Sequence, residues 1–127
     1  MYFIVDNSAD DKVIFSYTER ENWKKIEFIR PGNNKVSLLF LLDKFFKKTK
    51  FKLSDVEGMG VIVGKGKFTS TRIAVTMINT LAYVLKIPAV GVLDDYKDLL
   101  RKIKTAKSGV FISAKYSADA TIGKRKK

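Results

Sequence analysis

The stretch VGKGKFTSTRI, residues 63–73, joins the end of an apolar run to the start of a long helical segment. Backbone N–H groups at such a junction, together with the helix dipole, favour a bound anion. The pattern predicts an anion-binding loop formed by Gly64, Lys65, Gly66, Lys67, Thr69 and Arg72. Neither G-x-x-x-x-G-K-[ST] nor G-x-G-x-x-G is complete here, so an ordinary structural loop is an equal alternative.

Strand signals lie on both sides of this loop. Residues 2–6, 12–17 and 23–29 are short β-branched or aromatic segments separated by polar residues, which predicts an antiparallel meander. Residues 59–63 form a continuous apolar run between glycines, which is typical of a central strand buried on both faces. Residues 89–92 form a second buried strand of the same kind.

Helical signals alternate with these last strands. A helix is expected over residues 34–48, with Asn34 as its N-cap, and a longer one over residues 69–86. A third, amphipathic helix is expected over residues 94–104, and residues 54–57 match the capping box of a brief helical turn. Residues 108–116 could add one more strand. The order predicts an α/β fold with a mixed five-stranded sheet flanked by helices.

The first two long helices carry more apolar surface than one core can cover. Their apolar residues span arcs of about 160° and about 200°, wider than the stripe a helix needs to face its own core. The excess predicts a protein interface on these helices, although about half of the candidates should be ordinary core. The candidate interface residues are Leu38, Leu41, Leu42, Phe45, Ala74, Met77, Ile78, Leu81 and Ala82.

The amino-acid composition excludes several kinds of catalytic and metal site. The 127 residues include no cysteine and no histidine, which excludes thiol nucleophiles, a histidine general base and Cys/His zinc sites. The net charge is +12, and residues 97–127 alone carry ten basic and two acidic side chains. A second basic cluster lies between Asp43 and Asp55. These clusters leave open a small basic RNA-binding module, with plain solvation of the surface as the simpler interpretation.

Four segments resemble the TsaB (YeaZ) family. Residues 64–74, GKGKFTSTRIA, and 81–92, LAYVLKIPAVGV, are similar to that family's blocks GPGSFTGLRIG and GLAYALGIPLVGV. Residues 4–8, IVDNS, and 53–56, LSDV, are similar to its AIDTS and LSDL. The resemblance implies that residues 1–104 form the N-terminal lobe of an actin-like ATPase/ribonuclease H-like fold. Residues 105–127 would then be a strand remnant followed by a basic tail.

The resemblance also implies a function. In that family the protein is a non-catalytic partner subunit without a cofactor. It pairs with the catalytic subunit TsaD and works with the ATPase TsaE in making N6-threonylcarbamoyladenosine (t6A) on tRNA. Independently of the resemblance, the apolar runs of this chain are shorter than the ~20 residues that cross a bilayer, and its first residues lack the basic region of a signal peptide, so we expect a cytoplasmic protein. Alone, the family's protein forms a homodimer through a bundle of its two long helices. We therefore expect this chain to bind itself or a TsaD-type subunit, with at most a weak or indirect tRNA contact.

A residual nucleotide-binding enzyme is the third alternative. It would use Asp6, at the end of the first strand, together with the Gly64 loop. A single carboxylate lacks the paired geometry of a metal site, and an aspartate that caps a turn is the simpler interpretation. An actin-like nucleotide cleft also lies between two lobes, whereas the resemblance covers one.

Overall fold

A computed structural model of the chain describes residues 1–20, 22–30, 37–64, 68–92, 102–103, 109 and 112. The helices and strands, in chain order, are β1 Tyr2–Asp6, β2 Lys12–Glu19, β3 Asn22–Ile29, α1 Leu38–Thr49, a 3-10 turn Leu53–Asp55, β4 Gly58–Ile62, α2 Phe68–Leu85 and β5 Ala89–Val92. None of the helices in this part of the chain combines the length and hydropathy that a membrane span requires.

The five strands form one mixed sheet in the order β3-β2-β1-β4-β5. The first three strands are an antiparallel meander, with Phe3 opposite Tyr17 and Phe15 opposite Ile26. Strand β4 pairs in parallel with both β1 and β5 and is buried along its whole length. The predicted fold class, and the five strands that compose it, are therefore confirmed.

The β2–β3 hairpin is tighter than its polar sequence indicated. Glu19 is directly opposite Asn22, so the connection between the two strands is short, and Arg20 adopts a positive φ of 53°. Thr18 belongs to the ladder because its side chain is buried and its Oγ1 accepts a hydrogen bond from Tyr2 N–H at 2.9 Å. A polar residue with a buried partner can extend a strand beyond its apolar segment.

The N-cap of α1 is Ser37, and the prediction of Asn34 was wrong. Ser37 Oγ accepts the backbone N–H of Phe40 at 3.1 Å, and the helix begins at Leu38. A serine side chain accepts the backbone N–H three residues on as well as an asparagine side chain does. The residue type alone therefore does not show which of the two positions is the N-cap. At the other end, Lys50 has a φ of 65° and donates its N–H to the carbonyl of Phe46.

The main core lies between the sheet and the two long helices. Phe3, Phe15 and Phe45 are completely buried there, and the Phe3 ring lies 5.4 Å from Phe15 and 4.9 Å from Phe45. The opposite face of the sheet carries a smaller cluster in which Ile4 and Ile62 pack with Ile103. Both faces of the central strands are thus covered.

Several predictions lie outside the described residues. Apart from Lys102 and Ile103, the expected helix over 94–104 is one of them, and so is the basic tail. Of the expected strand over 108–116, Gly109 and Ile112 are described. Ile112 is buried, and its backbone N–H and carbonyl both bond to the Asn79 amide, at 2.9 and 3.1 Å.

Candidate interaction face on the two helices

Most of the predicted interface residues belong to the chain's own core. Seven of the nine have no more than 4% of their surface exposed, and only Met77 and Leu81 stay half-buried. The seven are Leu38, Leu41, Leu42, Phe45, Ala74, Ile78 and Ala82. The helical arcs were wide enough for a second face, but periodicity did not show which side of each arc turns toward the sheet.

The second face lies next to the core stripe and is open. Leu39, Phe40, Ile73, Tyr83 and Val84 are exposed by 49% to 68%, which is high for large apolar side chains on helices. Single exposed apolar residues are common, whereas a group of them on two adjacent helices is typical of an interface. We call this surface, together with Met77 and Leu81, the helical face.

A groove of about 770 Å³ runs along the helical face between α1 and α2. It is lined by Ser37, Leu38, Leu39, Thr69, Arg72, Ile73, Thr76, Met77, Thr80 and Leu81. The α2 residues in this set recur every three or four positions, so they form one continuous row along the helix. Thr76 and Thr80 are small, and a partner helix can approach closely beside them.

Charge is sparse on the α2 side of the groove. Arg72 is the only charged residue of α2, and it lies near the start of the helix, one turn after Phe68. On α1, Lys44 lies 5.6 Å from the ring centre of Phe40, and Lys47 pairs with Asp43 at 3.0 Å. Of the described residues that line the groove, only Arg72 is charged, so the groove is apolar except at one end of α2.

The structure brings together only part of the predicted anion loop. Gly64 has a φ of 86°, which favours glycine, while residues 65–67 lie outside the described residues. Thr69 and Arg72 are exposed and line the groove. These two residues therefore contribute to the helical face as well as to the start of α2.

The polar residues after β1 hold the turn together. The Asp6 carboxylate accepts hydrogen bonds from the backbone N–H and the hydroxyl of Ser8, in the manner of a turn-capping aspartate. Asn7 is buried, donates Nδ2–H to the Ser70 carbonyl at 3.0 Å and accepts a hydrogen bond from Arg30. Sequence reasoning missed Asn7, and its only signal was an amide directly after an apolar strand.

Comparisons with known proteins agree with this architecture. A sequence model of the family described as "TsaD: tRNA N6-adenosine threonylcarbamoyltransferase" matches residues 33–97. No curated protein matches the chain. Among solved structures, YeaZ from Pseudomonas aeruginosa superimposes with a TM-score of 0.64 at 21% identity. A second structure, titled as an uncharacterized protein with similarity to peptidase YEAZ from the same organism, has a TM-score of 0.62 at 21% identity.

Each of these two matches covers 82% of this chain, but only 48% of the other chain. The chain thus spans about half of the length of the YeaZ structures that it matches. Together with the strand order, the matches confirm the predicted likeness to the TsaB (YeaZ) fold. The protein is an α/β domain of the actin-like/ribonuclease H-like class.

The family follows from the sequence-model match. Residues 33–97 make up just over half of the 127 residues, and they include α1, β4, α2 and β5. The chain belongs to the TsaD family of tRNA N6-adenosine threonylcarbamoyltransferase domains.

Proposed function

We propose that the chain is a non-catalytic partner subunit of the machinery that makes t6A on tRNA, and that its helical face binds a TsaD-type subunit. Family membership supports the pathway, because the matching family is described by this modification. The observation that carries the proposed role is the open apolar groove between α1 and α2. When that partner is absent, the same face can pair with a second copy of the chain.

The shape of the groove favours a helical occupant. Its α2 side offers Ile73, Thr76, Met77 and Thr80 at helical spacing, and ridges at this spacing pack against those of another helix. Apolar side chains that are exposed in the single chain would be buried in the complex. A stable complex of standard size buries about 1,600 Å² in total, to which each partner contributes half.

A partner role is also supported by the residues at the end of β1. Asp6 is the carboxylate that a nucleotide-binding enzyme would use in the third alternative above. Its Oδ1 atom accepts two hydrogen bonds from Ser8. Among the residues that the structure describes, no three acidic side chains cluster in a way that could hold a metal ion. The helical face is by contrast fully formed, so association is the activity that the geometry favours.

The direct test is a reconstituted modification reaction. The TsaD-type protein and TsaE-type ATPase of the same genome are combined with unmodified tRNA, ATP and a threonylcarbamoyl donor, with and without this chain, and t6A is measured by mass spectrometry. We expect modification to depend on the chain and to fall with Ile73→Asp, which places an acid in the groove. Ser54→Asp adds the same acid at an exposed position outside the groove and should keep full activity. Equal t6A with and without the chain would contradict the proposal.

A second candidate function, RNA binding, is supported by exposed lysines around the end of α1. Lys44, Lys47, Lys48, Lys50 and Lys52 are all exposed, and together they form a basic patch. Contacts between lysines and phosphates weaken steeply with salt because counterions are released on binding. RNA affinity that falls with salt and with Lys48→Glu, but not with Ile73→Asp, would favour this candidate.

A further inference from the structure

The outer edge of the sheet carries a pattern that the proposed function does not use. Strand β3 is eight residues long and bonds to β2 on one side, and in the described part of the chain no strand covers its other side. An edge strand of this length presents a row of backbone donors and acceptors that can pair with another strand.

The register of the hairpin shows which β3 residues face outward. Arg30 donates its N–H to the Asp11 carbonyl at 2.6 Å, so the even-numbered positions of this strand bond toward β2. Because hydrogen-bonding direction alternates along a strand, Trp23, Lys25, Glu27 and Ile29 direct their N–H and C=O groups away from the sheet.

We propose that the β3 edge pairs antiparallel with β3 of a second copy of this chain, around a two-fold axis at Ile26. This register places Lys25 opposite Glu27 of the other copy, twice, and Trp23 opposite Ile29. The two neighbouring registers are unfavourable, because a two-fold axis at Lys25 sets two lysines face to face, and one at Glu27 sets two glutamates face to face. Charge complementarity therefore selects the axis at Ile26.

The side chains at this edge are suited to such a contact. Ile29 is 68% exposed, and pairing would cover it with the indole of Trp23 from the other copy. Lysines on edge strands often prevent pairing with another strand. In this register, however, Lys25 lies opposite Glu27 of the second copy. Lys24 and Glu27 each have a partner within their own chain. Lys24 Nζ lies 2.6 Å from Glu19 Oε1, whereas Glu27 Oε2 lies 3.8 Å from Lys12 Nζ, a longer and partly exposed pair that Lys25 of the second copy can join. The result would be a continuous ten-stranded sheet.

This pairing is independent of the helical face. The β3 edge lies at one end of the sheet order, whereas the groove is formed by α1 and α2, so each copy in the pair keeps its groove accessible. The inferred assembly thus joins two copies that can each bind a partner. Its test can be made in the Ile73→Asp background, where association through the helical face is removed.

Disulfide cross-linking tests the register, because the chain has no cysteine of its own. A residue on the two-fold axis lies opposite the same residue of the second copy. The two Cα atoms are then about 4.5 Å apart, which is within disulfide range. We expect Ile26→Cys to form a covalent dimer on mild oxidation, while Lys25→Cys and Glu27→Cys stay mostly monomeric. Preferential cross-linking through position 25 or 27, or through none of the three, would overturn the proposal.

A charge swap tests the same contact without cysteine. Lys25→Glu and Glu27→Lys should each weaken self-association by at least tenfold in sedimentation experiments, because each sets like charges opposite one another. The double variant Lys25→Glu/Glu27→Lys restores the pairing and should restore the dimer. Circular dichroism confirms that each variant is folded. A Ile73→Asp protein that stays monomeric at every concentration, or a double variant that is not rescued, would contradict the inference.

Discussion

Asn7 donates a hydrogen bond from Nδ2 to the Ser70 carbonyl at 3.0 Å, and this bond ties the end of β1 to the first turn of α2. Asn7 is buried and also accepts a hydrogen bond from Arg30. Asn7→Ala removes both hydrogen bonds and leaves the buried end of Arg30 without this acceptor, so we expect a loss of about 1–3 kcal/mol in the free energy of unfolding. Urea denaturation measures it. Asn22→Ala, at an exposed position of the hairpin, should change stability by less than about 0.5 kcal/mol.

The two glycines of β4 predict a matched pair of core substitutions. A Cβ added at Gly58 would lie 2.2 Å from Ile103 Cγ2, whereas at Gly60 the nearest atom would be 3.3 Å away, on Ile4. Gly58→Ala should therefore destabilise the protein by about 1–3 kcal/mol, and Gly60→Ala by less. Gly58→Ala should cost less in an Ile103→Ala background, where the clashing methyl group is absent, so the two losses should be less than additive. Thermal unfolding that ranks the two glycines in the opposite order would show that Ile103 does not pack there.

The N-cap of α1 can be tested by mutation, because the structure places it at Ser37 and the sequence pattern placed it at Asn34. Ser37→Ala removes the hydroxyl that accepts the Phe40 N–H, and we expect a cost of about 1 kcal/mol. Asn34→Ala, at the position that sequence alone favoured, should change the free energy of unfolding much less. Chemical denaturation of the two variants side by side makes the comparison. A larger loss from Asn34→Ala would place the cap at the earlier residue.

The hairpin ion pair predicts a pH effect. The hydrogen bond from Lys24, followed by its positive charge, lowers the pKa of the Glu19 carboxyl below its usual value. Because the folded-state pKa is the lower one, the stabilising contribution is present above the unfolded-state pKa and is lost as pH falls through the folded value. Lys24→Met should return the pKa of Glu19 to normal in an NMR titration, while Lys48→Met should not. An ordinary Glu19 pKa in the parent protein would exclude the ion pair in solution.

Much of the fold was predictable because its signals are local. The buried runs that became β4 and β5, the alternation in β2 and the length of α2 follow from hydrophobic periodicity. Positions decided by tertiary contacts were not predictable. Thr18 joins β2 because Tyr2 lies beside it, and Ser37 rather than Asn34 caps α1.

The candidate site, like the cap of α1, depends on tertiary contacts that the sequence pattern does not show. Periodicity correctly indicated that α1 and α2 have more apolar surface than one core stripe requires. It placed Leu41 and Ile78 in the interface, although both are buried against the sheet, while Leu39 and Ile73 are the exposed residues. The direction of each helix face depends on how the helix rotates against the sheet, and that rotation is set by packing with β4 and the aromatic core.

The affinity of the chain for a TsaD-type subunit decides whether the helical face is the surface that binds this partner. Isothermal titration with the TsaD-type protein of the same genome compares the parent chain, Ile73→Asp and the Ser54→Asp control. Burying an acid in an apolar groove costs about 2 kcal/mol or more, so Ile73→Asp should raise Kd at least about 30-fold, while Ser54→Asp leaves it unchanged. Equal affinity of the parent and Ile73→Asp chains would show that the helical face does not bind this subunit.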